Sequence, residues 1–304
     1  MNRLHVAVLM GGPSAERKVS LKSGAAAVRA LRNAGMYVSP VDVQGAEDCH
    51  LPVGTDVAFL ALHGTFGEDG QIQRLLEARG VPYTGSDAEA SERAFDKAAA
   101  KEAFVAAGVP TPPHMVVERD VRALASMKPP VVVKPARQGS SYGVTKVTDP
   151  TKLEWAVEQA WRYDQKLVVE QFINGRELTV GIFEGRALPV VEIKADFFDY
   201  EAKYNGETEE LCPAPLDRLT TERVQETALR AHECLGCRDY SRVDVMLTAD
   251  GRMFVLEVNT LPGMTEQSLL PKAARAAGLS MEDVCTRLVK LAMARRPVAV
   301  AVAA

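Results

Sequence analysis

Two carboxylates and an amide that flank a predicted turn form the most chemically informative group in this chain. Two runs of alternating polar and apolar residues flank an Asp-Gly pair at 250–251, a dipeptide that favours a two-residue β-hairpin turn. With that turn, Asp244 lies opposite Glu257, and Arg242 lies opposite Asn259. Directly opposed side chains of an antiparallel pair point to the same side of the sheet. Carboxylate and amide oxygens suit Mg²⁺ better than zinc, so the hairpin predicts a magnesium site.

The other face of this hairpin is wholly apolar, which fixes its register because a one-residue slip would invert the two faces. The predicted core positions are Val243, Val245, Leu247, Phe254, Leu256 and Val258. Two neighbouring carboxylates repel each other unless a cation lies between them. The alternative is a solvated outer face on which Arg242 neutralises one of the acids.

A loop rich in glycine and serine, residues 138–143, follows a predicted strand that ends near Lys134. Small residues let backbone N–H groups approach a phosphate, and the lysine adds a point charge. The loop is not a Walker A motif, because no Gly-Lys-Ser/Thr opens a helix. Taken alone it is equally consistent with an ordinary hairpin turn. Together with Lys134 and the carboxylate hairpin, it predicts a nucleotide site.

Two other residues lie at the ends of predicted strands. Glu16 follows a glycine turn that opens a helix, and a carboxylate there suits an ammonium group; the alternative is a capping turn with Ser14 as the N-cap. His63 follows a strand end, where open α/β sheets place ligand contacts; the alternative is a core histidine. Three further charged residues, taken alone, are consistent with a solvated surface: Lys97, Glu170 and Glu177.

Composition narrows the class of protein. The chain has 304 residues, enough for two or three lobes, with 47% apolar and 25% charged residues. A net charge of −4 without a long basic run argues against nucleic acid or an anionic membrane as a partner. Five scattered cysteines do not suggest a disulfide framework, and the Cys234-x-x-Cys237 spacing lacks a second pair. With no signal segment or membrane-length apolar run, we expect a cytoplasmic protein.

The order of predicted elements indicates an α/β fold. The first 95 residues alternate strands with helices, which is typical of a parallel sheet. One long alanine-rich helix is predicted over residues 89–107, followed by a proline-rich break. From residue 131 onward, strands and hairpins are predicted together with helices at about 150–163, 220–235, 267–277 and 280–293. Residues 194–215 show no regular period, and a loop of that length predicts a lid or binding loop.

Short motifs run through the chain in a fixed order. They are His63-Gly64, Gly67-Glu68-Asp69-Gly70, Tyr83-Thr84-Gly85, Asp96-Lys97, Val133-Lys134-Pro135, Gly139-Ser140-Ser141, FDYEAKY at 198–204, Arg242-Val243-Asp244, EVNT at 257–260, PGMT at 262–265 and Ser268-Leu269. Each motif is short, but the ordered set is specific. Over residues 4–295 the chain resembles the D-alanine–D-alanine ligase family of the ATP-grasp superfamily.

This resemblance implies a three-lobed ATP-grasp fold with ATP between the central and C-terminal lobes. The expected lobes are residues 1–95, with the first D-alanine site, residues 96–180, and residues 181–304, with the metal site and a substrate loop at 194–215. The implied reaction joins two D-alanines through an acylphosphate, releases ADP and phosphate, and supplies peptidoglycan precursors. The family also suggests a homodimer.

The resemblance also assigns the nucleotide and metal residues. By motif position, phosphates would be bound by Lys97, Lys134, Ser141 and Lys203. Adenine and ribose would be bound by Glu170, Gln171, Phe172, Ile173 and Glu177. Two Mg²⁺ ions, which Mn²⁺ can replace, would be held by Asp244, Glu257 and Asn259.

The amino-acid site follows from the same resemblance. Glu16 would fix the ammonium of the first D-alanine in a hydrogen-bonded group with Ser140 and Tyr204, and Lys203 would lie by the γ-phosphate. Arg242 and the Gly263 amide would stabilise the oxyanion. The remaining substrate contacts would come from His63, Ser268 and Leu269.

Two other functions compete with this one. The first is an ATP-grasp ligase with a different second substrate, D-lactate or D-serine; the intact Glu-Ala-Lys-Tyr sequence at 201–204 favours D-alanine. The second is a nucleotide-binding regulator without turnover, which retention of the metal and oxyanion residues argues against. Phosphate release that depends on D-alanine distinguishes these functions.

Overall fold

The computed structural model describes residues 3–118, 124, 126–140, 142–194 and 209–295. Three sheets organise this part of the chain. The first is parallel, and the other two are antiparallel. The predicted α/β architecture with a parallel N-terminal sheet is therefore confirmed.

The first sheet has the strand order β2-β1-β3. Its elements are β1 (His5–Gly11), α1 (Arg17–Asn33), β2 (Tyr37–Val43), β3 (Val57–Leu60) and α2 (Gln71–Ala78). β1 is buried along its whole length, as expected of a central strand in a covered parallel sheet. The loops after β1 and β3 leave the sheet at the same edge, since parallel neighbours end on the same side.

The start of α1 differs from the prediction. Glu16, not Ser14, occupies the N-cap position, and no side chain caps the helix. Ser14 Oγ instead donates a hydrogen bond to the His63 carbonyl (2.7 Å) and accepts one from the Glu16 N–H (3.2 Å). Ser14 therefore ties the loop after β1 to the loop after β3, and this brings Glu16 close to His63.

The alanine-rich segment forms two helices, α3 (Ala88–Phe95) and α4 (Lys97–Ala106), so the prediction of one continuous helix is wrong. Asp96 separates them with an extended backbone (ψ 100°). Its carboxylate accepts hydrogen bonds from Ala98 N–H (3.0 Å) and Ala99 N–H (3.3 Å). An aspartate N-cap satisfies backbone donors that a new helix leaves open. The break makes Lys97 the first residue of a new helix.

The second sheet has the order β4-β7-β5-β6. Its elements are β4 (His114–Val117), β5 (Val131–Pro135), β6 (Thr145–Val147), α5 (Leu153–Ala160) and β7 (Leu167–Gln171). β5 and β6 are antiparallel neighbours. The glycine loop at 138–143 therefore lies in the connection between two paired strands.

The third sheet has the order β11-β10-β8-β12-β13, with β9 also on β8. Its strands are β8 (Arg176–Phe183), β9 (Arg186–Ala187), β10 (Val191–Lys194), β11 (Glu209–Leu211), β12 (Tyr240–Leu247) and β13 (Met253–Asn259). The helices of this region are α6 (Arg218–Cys234), α7 (Leu269–Ala276) and α8 (Met281–Ala294). β11 falls within the segment that was predicted to be a loop, and residues 195–208 of that segment lie outside the described residues.

The hairpin of β12 and β13 has the predicted polar pairs. Arg242 is opposite Asn259, and Asp244 is opposite Glu257. The turn itself was predicted wrongly, because the Thr248 N–H donates to the Arg252 carbonyl (2.9 Å), which makes a three-residue loop. The predicted pairing of the polar residues is nevertheless correct, because the hairpin also contains a β-bulge.

This bulge lies on β13 at Leu256. Asp244 pairs with Glu257, but the next residue, Val245, pairs with Val255, so one extra residue offsets the extra loop residue. As a result, the side chains of β13 that precede the bulge point to the opposite faces from those predicted. Met253 and Val255 are buried, whereas Phe254 and Leu256 are only half-buried. The prediction that Phe254 and Leu256 face the core is therefore wrong.

The division into three lobes remains a prediction. The boundary at 95/96 falls between α3 and α4, but the boundary at 180/181 falls inside β8. Helix α8 packs on α1 and β3, and its apolar side chains share one buried cluster with the first sheet. We propose that β8 as a whole belongs to the third lobe and that α8 belongs to the first.

Two predictions from composition concern membranes and cysteines. Within the described residues, no helix has the length and apolarity that a membrane crossing requires. The five cysteines of the chain are all free thiols, which confirms that there is no disulfide framework.

Candidate active site

A cavity of about 350 Å³ lies between loops of the first sheet, the glycine loop of the second and the hairpin of the third. The predicted site residues that line it are Glu16, His63, Lys97, Ser140, Arg242, Glu257, Asn259, Gly263, Ser268 and Leu269. The predicted residues that do not line it are Lys134, Glu170, Gln171, Phe172, Ile173, Glu177 and Asp244. Three more lie outside the described residues: Ser141, Lys203 and Tyr204.

The carboxylate of Glu16 lies where two loops meet. Ser140 Oγ donates a hydrogen bond to Glu16 Oε1. A Cβ atom on Gly64 would lie 2.6 Å from Glu16 Oε2, and a Cβ atom on Gly139 would also overlap it. Both glycines are therefore required for the carboxylate to fit at this position. A half-buried carboxylate held in this way suits an ammonium group, which is a pure donor.

His63 is buried and held between two elements. Its Nε2 is 3.0 Å from Ser23 Oγ on α1, and Ser23 Oγ also accepts a hydrogen bond from the Met264 N–H (3.2 Å). Burial lowers the pKa of His63 to about 4, although a hydrogen bond with the Leu261 backbone raises it. The imidazole is therefore neutral at pH 7. It links α1 to the loop that follows β13.

Glu68 is a second carboxylate of the cavity wall, and it is buried. Its Oε2 accepts a hydrogen bond from the Gly64 N–H (2.6 Å). Burial raises the pKa of Glu68 well above its ordinary value, and the negative charge of Glu16 is the second cause of this rise. The environment therefore favours its protonated form. Glu68 belongs to the motif at residues 67–70, but no role was predicted for it from the sequence.

The hairpin carboxylates lie on one face of the third sheet, as predicted. Asp244 accepts hydrogen bonds from Arg242 Nε (2.9 Å) and Nη2 (2.8 Å) and from Thr179 Oγ1 (2.7 Å). Thr179 is directly opposite Asp244 on β8. Glu257 lies opposite Asp244 on the other neighbouring strand, with Lys97 Nζ 3.4 Å from its Oε2. Each acid therefore has a cationic partner in this arrangement.

The donor set of this hairpin fits a hard divalent cation. It consists of two carboxylates and the amide of Asn259, whose Oδ1 accepts a hydrogen bond from the Leu261 N–H (3.0 Å). Oxygen ligands of this kind are those that Mg²⁺ takes. Among the described residues, no three or more His, Cys, Asp or Glu side chains cluster as metal ligands. A magnesium site here therefore needs the amide, or oxygen atoms of a substrate.

Lys97 connects the glycine loop to the carboxylate hairpin. Its Nζ donates to the Gln138 carbonyl (2.7 Å) as well as facing Glu257, and only 12% of its side chain is exposed. The interpretation of Lys97 as a solvated surface residue is therefore wrong. An ammonium at this point can neutralise phosphate oxygens.

Gly263 and Ser268 lie in the loop between β13 and α7. A Cβ atom on Gly263 would lie 2.8 Å from Ser268 Oγ, so the glycine permits close approach of the backbone. Ser268 Oγ accepts a hydrogen bond from the Thr265 N–H (3.1 Å). Ser268 occupies the N-cap position of α7, and Leu269 is the first residue of that helix. A helix N-terminus inside a cavity favours a carboxylate ligand.

Outside the cavity, Glu170 on β7 is buried between two lysines. Its Oε2 is 2.7 Å from Lys101 Nζ, and its Oε1 forms an ion pair with Lys134. Burial raises the pKa of Glu170, but Lys101 and Lys134 outweigh burial and lower it to about 2. Its side chain is 2% exposed, so the interpretation of Glu170 as a surface acid is wrong.

The other residues predicted to face adenine and ribose lie near Glu170 in the chain or on β8. The N–H groups of Gln171 and Phe172 donate to the carbonyls of Pro113 (2.8 Å) and Pro130 (3.0 Å). Ile173 is half-buried. Glu177 lies on β8 two residues before Thr179 and therefore on the same face of the sheet as Asp244.

Two residues of the site, Lys101 and Thr179, were not predicted from the sequence. Both had a signal in their spacing. Lys101 follows Lys97 by four residues, which is one helical turn, and Thr179 follows Glu177 by two residues, which is the period of a strand. The first signal does not depend on the helix break, because one continuous helix would also place Lys97 and Lys101 on the same face.

Comparison with known proteins places these features in a family. The family described as D-ala D-ala ligase C-terminus matches residues 104–290, and the D-ala D-ala ligase N-terminus family matches residues 44–86. A D-alanine–D-alanine ligase of Methylacidiphilum infernorum is 48% identical over 294 residues, which cover 96% of each protein. The crystal structure of the D-alanine–D-alanine ligase from Bacillus anthracis has a TM-score of 0.87 at 36% identity and covers 96% of this chain and 98% of that one.

A crystal structure of the Bacillus anthracis ligase complexed with ATP is also similar. It has a TM-score of 0.85 at 34% identity and covers 97% of this chain and 99% of that one. The matches thus extend over nearly the whole length of both relatives and of this chain. The chain belongs to the D-alanine–D-alanine ligase family and has its ATP-grasp fold.

Proposed function

We propose that this protein joins two D-alanine molecules at the expense of ATP and releases ADP and phosphate. The product, D-alanyl-D-alanine, is a precursor of peptidoglycan. The observation that carries this proposal is the shared cavity, in which a carboxylate, a guanidinium and a helix N-terminus face one another. Near full-length relatives named D-alanine–D-alanine ligase, at 45–48% identity, support the same reaction. They do not favour D-lactate or D-serine as the second substrate.

The first half of the reaction activates the first D-alanine. Glu16 binds its ammonium group, with Ser140 holding the carboxylate of Glu16 in place. The carboxylate of the substrate attacks the γ-phosphorus in line and forms an acylphosphate, and ADP leaves. Lys97 lies at the meeting point of the glycine loop and the hairpin, where its charge stabilises the phosphate oxygens.

The second half forms the peptide bond. Ser268 and Leu269 at the N-terminus of α7 receive the carboxylate of the second D-alanine, and its amino group attacks the acylphosphate. The tetrahedral intermediate carries an oxyanion, which Arg242 and the Gly263 N–H stabilise. Collapse of this intermediate expels phosphate. We propose that His63 packs against the substrates as a neutral group.

The nucleotide occupies the region between the second and third sheets in this proposal. Lys134 and the glycine loop at 138–143 contact phosphates. Glu170 accepts a hydrogen bond from the adenine amine, with the backbone of residues 171–173 beside the ring. Glu177 binds the ribose.

We further propose that Asp244, Glu257 and Asn259 hold two Mg²⁺ ions, which Mn²⁺ can replace. Divalent cations would neutralise the charge that develops on the transferred phosphoryl group. The oxygen-only donor set supports this choice of metal. We also propose a homodimer, from the family, and a cytoplasmic location, from its use of ATP.

The experiment that tests the function is phosphate release by the purified protein with ATP, Mg²⁺ and D-alanine. We expect release that depends on D-alanine, with one dipeptide formed per phosphate. D-lactate and D-serine are tested as second substrates beside D-alanine. No release above the rate without D-alanine overturns the proposal.

A further inference from the structure

Lys101 on α4 is a buried lysine to which neither the motifs nor the proposed reaction give a role. Its side chain is 1% exposed, although lysine is almost never fully buried without a partner. Its Nζ lies 2.7 Å from Glu170 Oε2 and donates a hydrogen bond to Thr111 Oγ1 (2.8 Å). Thr111 Oγ1 in turn donates to the Val255 carbonyl on β13 (2.8 Å). Lys101 therefore connects α4 and β7 to the hairpin strand of the third sheet.

In this cluster the carboxylate of Glu170 has two ammonium partners, and the carboxylate of Glu257 adds negative charge at longer range. Lys134 alone would neutralise Glu170, and burying a second cation carries a desolvation cost. Burial indeed lowers the pKa of Lys101, while Glu170 raises it. The second lysine must therefore give the site something that Lys134 does not give.

The difference between the two lysines lies in what else they can bind. Lys134 is more exposed, with 13% of its side chain accessible, and the proposed function brings phosphate oxygens to it. Those oxygens compete with Glu170 for the ammonium of Lys134. Lys101 has only 1% of its side chain exposed, and the proposed function brings no phosphate to it. It remains on Glu170 whichever partner Lys134 takes.

We propose that Lys101 is the positioning residue that selects the nucleobase, because it keeps Glu170 an ionised, acceptor-only group that takes a 6-aminopurine and rejects a 6-oxopurine. This inference rests on the proposed function, which places adenine at Glu170. An ionised carboxylate only accepts hydrogen bonds, whereas a protonated one also donates. The adenine amine is a donor, and the oxygen of hypoxanthine is an acceptor that an ionised carboxylate repels.

The neighbourhood of Glu170 supports this assignment. Directly opposed residues on its two neighbouring strands are His114 on β4 and Val132 on β5. The His114 ring lies 3.1 Å from the Pro112 carbonyl. Among the described residues, both Lys101 and Lys134 lie within ion-pair distance of Glu170. Without Lys101, burial would shift Glu170 toward its neutral form whenever phosphates engage Lys134.

The test compares binding of ADP and inosine diphosphate, each with Mg²⁺, by calorimetry. For the unaltered protein we expect ADP to bind about tenfold tighter or more, the value of a hydrogen bond to a charged group. In Lys101→Met we expect ADP to bind about tenfold weaker and the preference over inosine diphosphate to fall toward one. Thr111→Val is the control, because it keeps the ion pair and should keep the preference.

Several results would overturn this inference. One is a folded Lys101→Met protein whose ADP preference equals that of the unaltered protein, and another is an equal loss of preference in Thr111→Val. Lys101→Gln is a second charge-free variant, with folding checked by thermal unfolding. If neither charge-free variant folds, Lys101 is a structural residue and the inference fails. ADP binding is measured without turnover. A failure of the proposed function, seen as the absence of D-alanine-dependent phosphate release, can therefore be distinguished from a failure of this inference.

Discussion

The guanidinium of Arg242 binds the carboxylate of Asp244 through two parallel hydrogen bonds, Nε to Oδ1 (2.9 Å) and Nη2 to Oδ2 (2.8 Å). The two residues are two positions apart on β12, so both side chains leave the same face of the strand. A bidentate pair of this kind fixes the plane of the guanidinium. Arg242 is therefore oriented before substrates bind, and Asp244 both orients it and faces Glu257.

The first prediction concerns Arg242. Arg242→Lys keeps a positive charge but loses the planar pair of donors. We expect kcat to fall roughly a hundredfold to a thousandfold, the usual cost of one oxyanion donor. Initial rates of phosphate release at saturating ATP and D-alanine measure this. Arg252→Lys is the control, because Arg252 lies on the same hairpin but is exposed and pairs with Asp250; a similar loss there would contradict the role of Arg242.

The second prediction concerns the proposed metal site. Glu257→Gln keeps the shape of the side chain but removes its charge, and we expect the Mg²⁺ concentration for half-maximal rate to rise about a hundredfold. Because Glu257 is partly exposed in the cleft, the free energy of unfolding should change by only about 0.5 kcal/mol. Titration of the rate with Mg²⁺ and thermal unfolding measure the two effects. A large loss of stability with an unchanged Mg²⁺ requirement would indicate a structural ion pair with Lys97 instead.

The sequence was sufficient to predict that Asp244 and Glu257 face each other, but not how the hairpin achieves it. The prediction assumed a two-residue turn, whereas the structure has a three-residue loop. The polar pairs are nevertheless correct, because the extra residue of the bulge at Leu256 offsets the extra loop residue. Turn residues such as Asp-Gly are compatible with both loop lengths. Hydrophobic alternation fixes the polar face but does not locate a bulge, so Phe254 and Leu256 were placed on the wrong face.

The helix break at Asp96 was harder to predict for a physical reason. Helix propensity is high both before and after Asp96, and the propensity scale gives an aspartate inside a helix only a small cost in free energy. The deciding interactions are the two capping hydrogen bonds and the ion pair of Asp96 with Lys166 (2.8 Å). Lys166 is distant in the sequence, so no local pattern reveals it. Helical spacing places Lys101 beside Lys97 with or without the break, but only the fold shows that Lys101 is buried.

The third prediction tests how Glu16 is held. Gly139→Ala places a methyl group where the Glu16 carboxylate now lies, so the carboxylate must move away from the ammonium it is proposed to bind. We expect KM for the first D-alanine to rise about tenfold or more, the value of a charged hydrogen bond. Steady-state kinetics with varied D-alanine measure this. Gly45→Ala is the control, because a Cβ atom there meets open space; an equal rise in that variant would contradict the proposed cradle.

The fourth prediction concerns acid stability and the buried histidines. Burial lowers the pKa of His63 and of His232 to about 4, below the value of about 6.5 in an unfolded chain. The unfolded state therefore binds more protons than the folded state between these values. The effect of each histidine on the free energy of unfolding is therefore absent above pH 6.5. As the pH falls toward 4, each histidine lowers the free energy of unfolding by at most about 3 kcal/mol. His232 lies outside the cavity, and His232→Gln removes one of the two buried imidazoles. The free energy of unfolding of this variant should therefore depend less steeply on pH between 6.5 and 4 than that of the unaltered protein. Chemical denaturation across this range measures the slopes, and parallel curves would show that folding does not lower the pKa of His232.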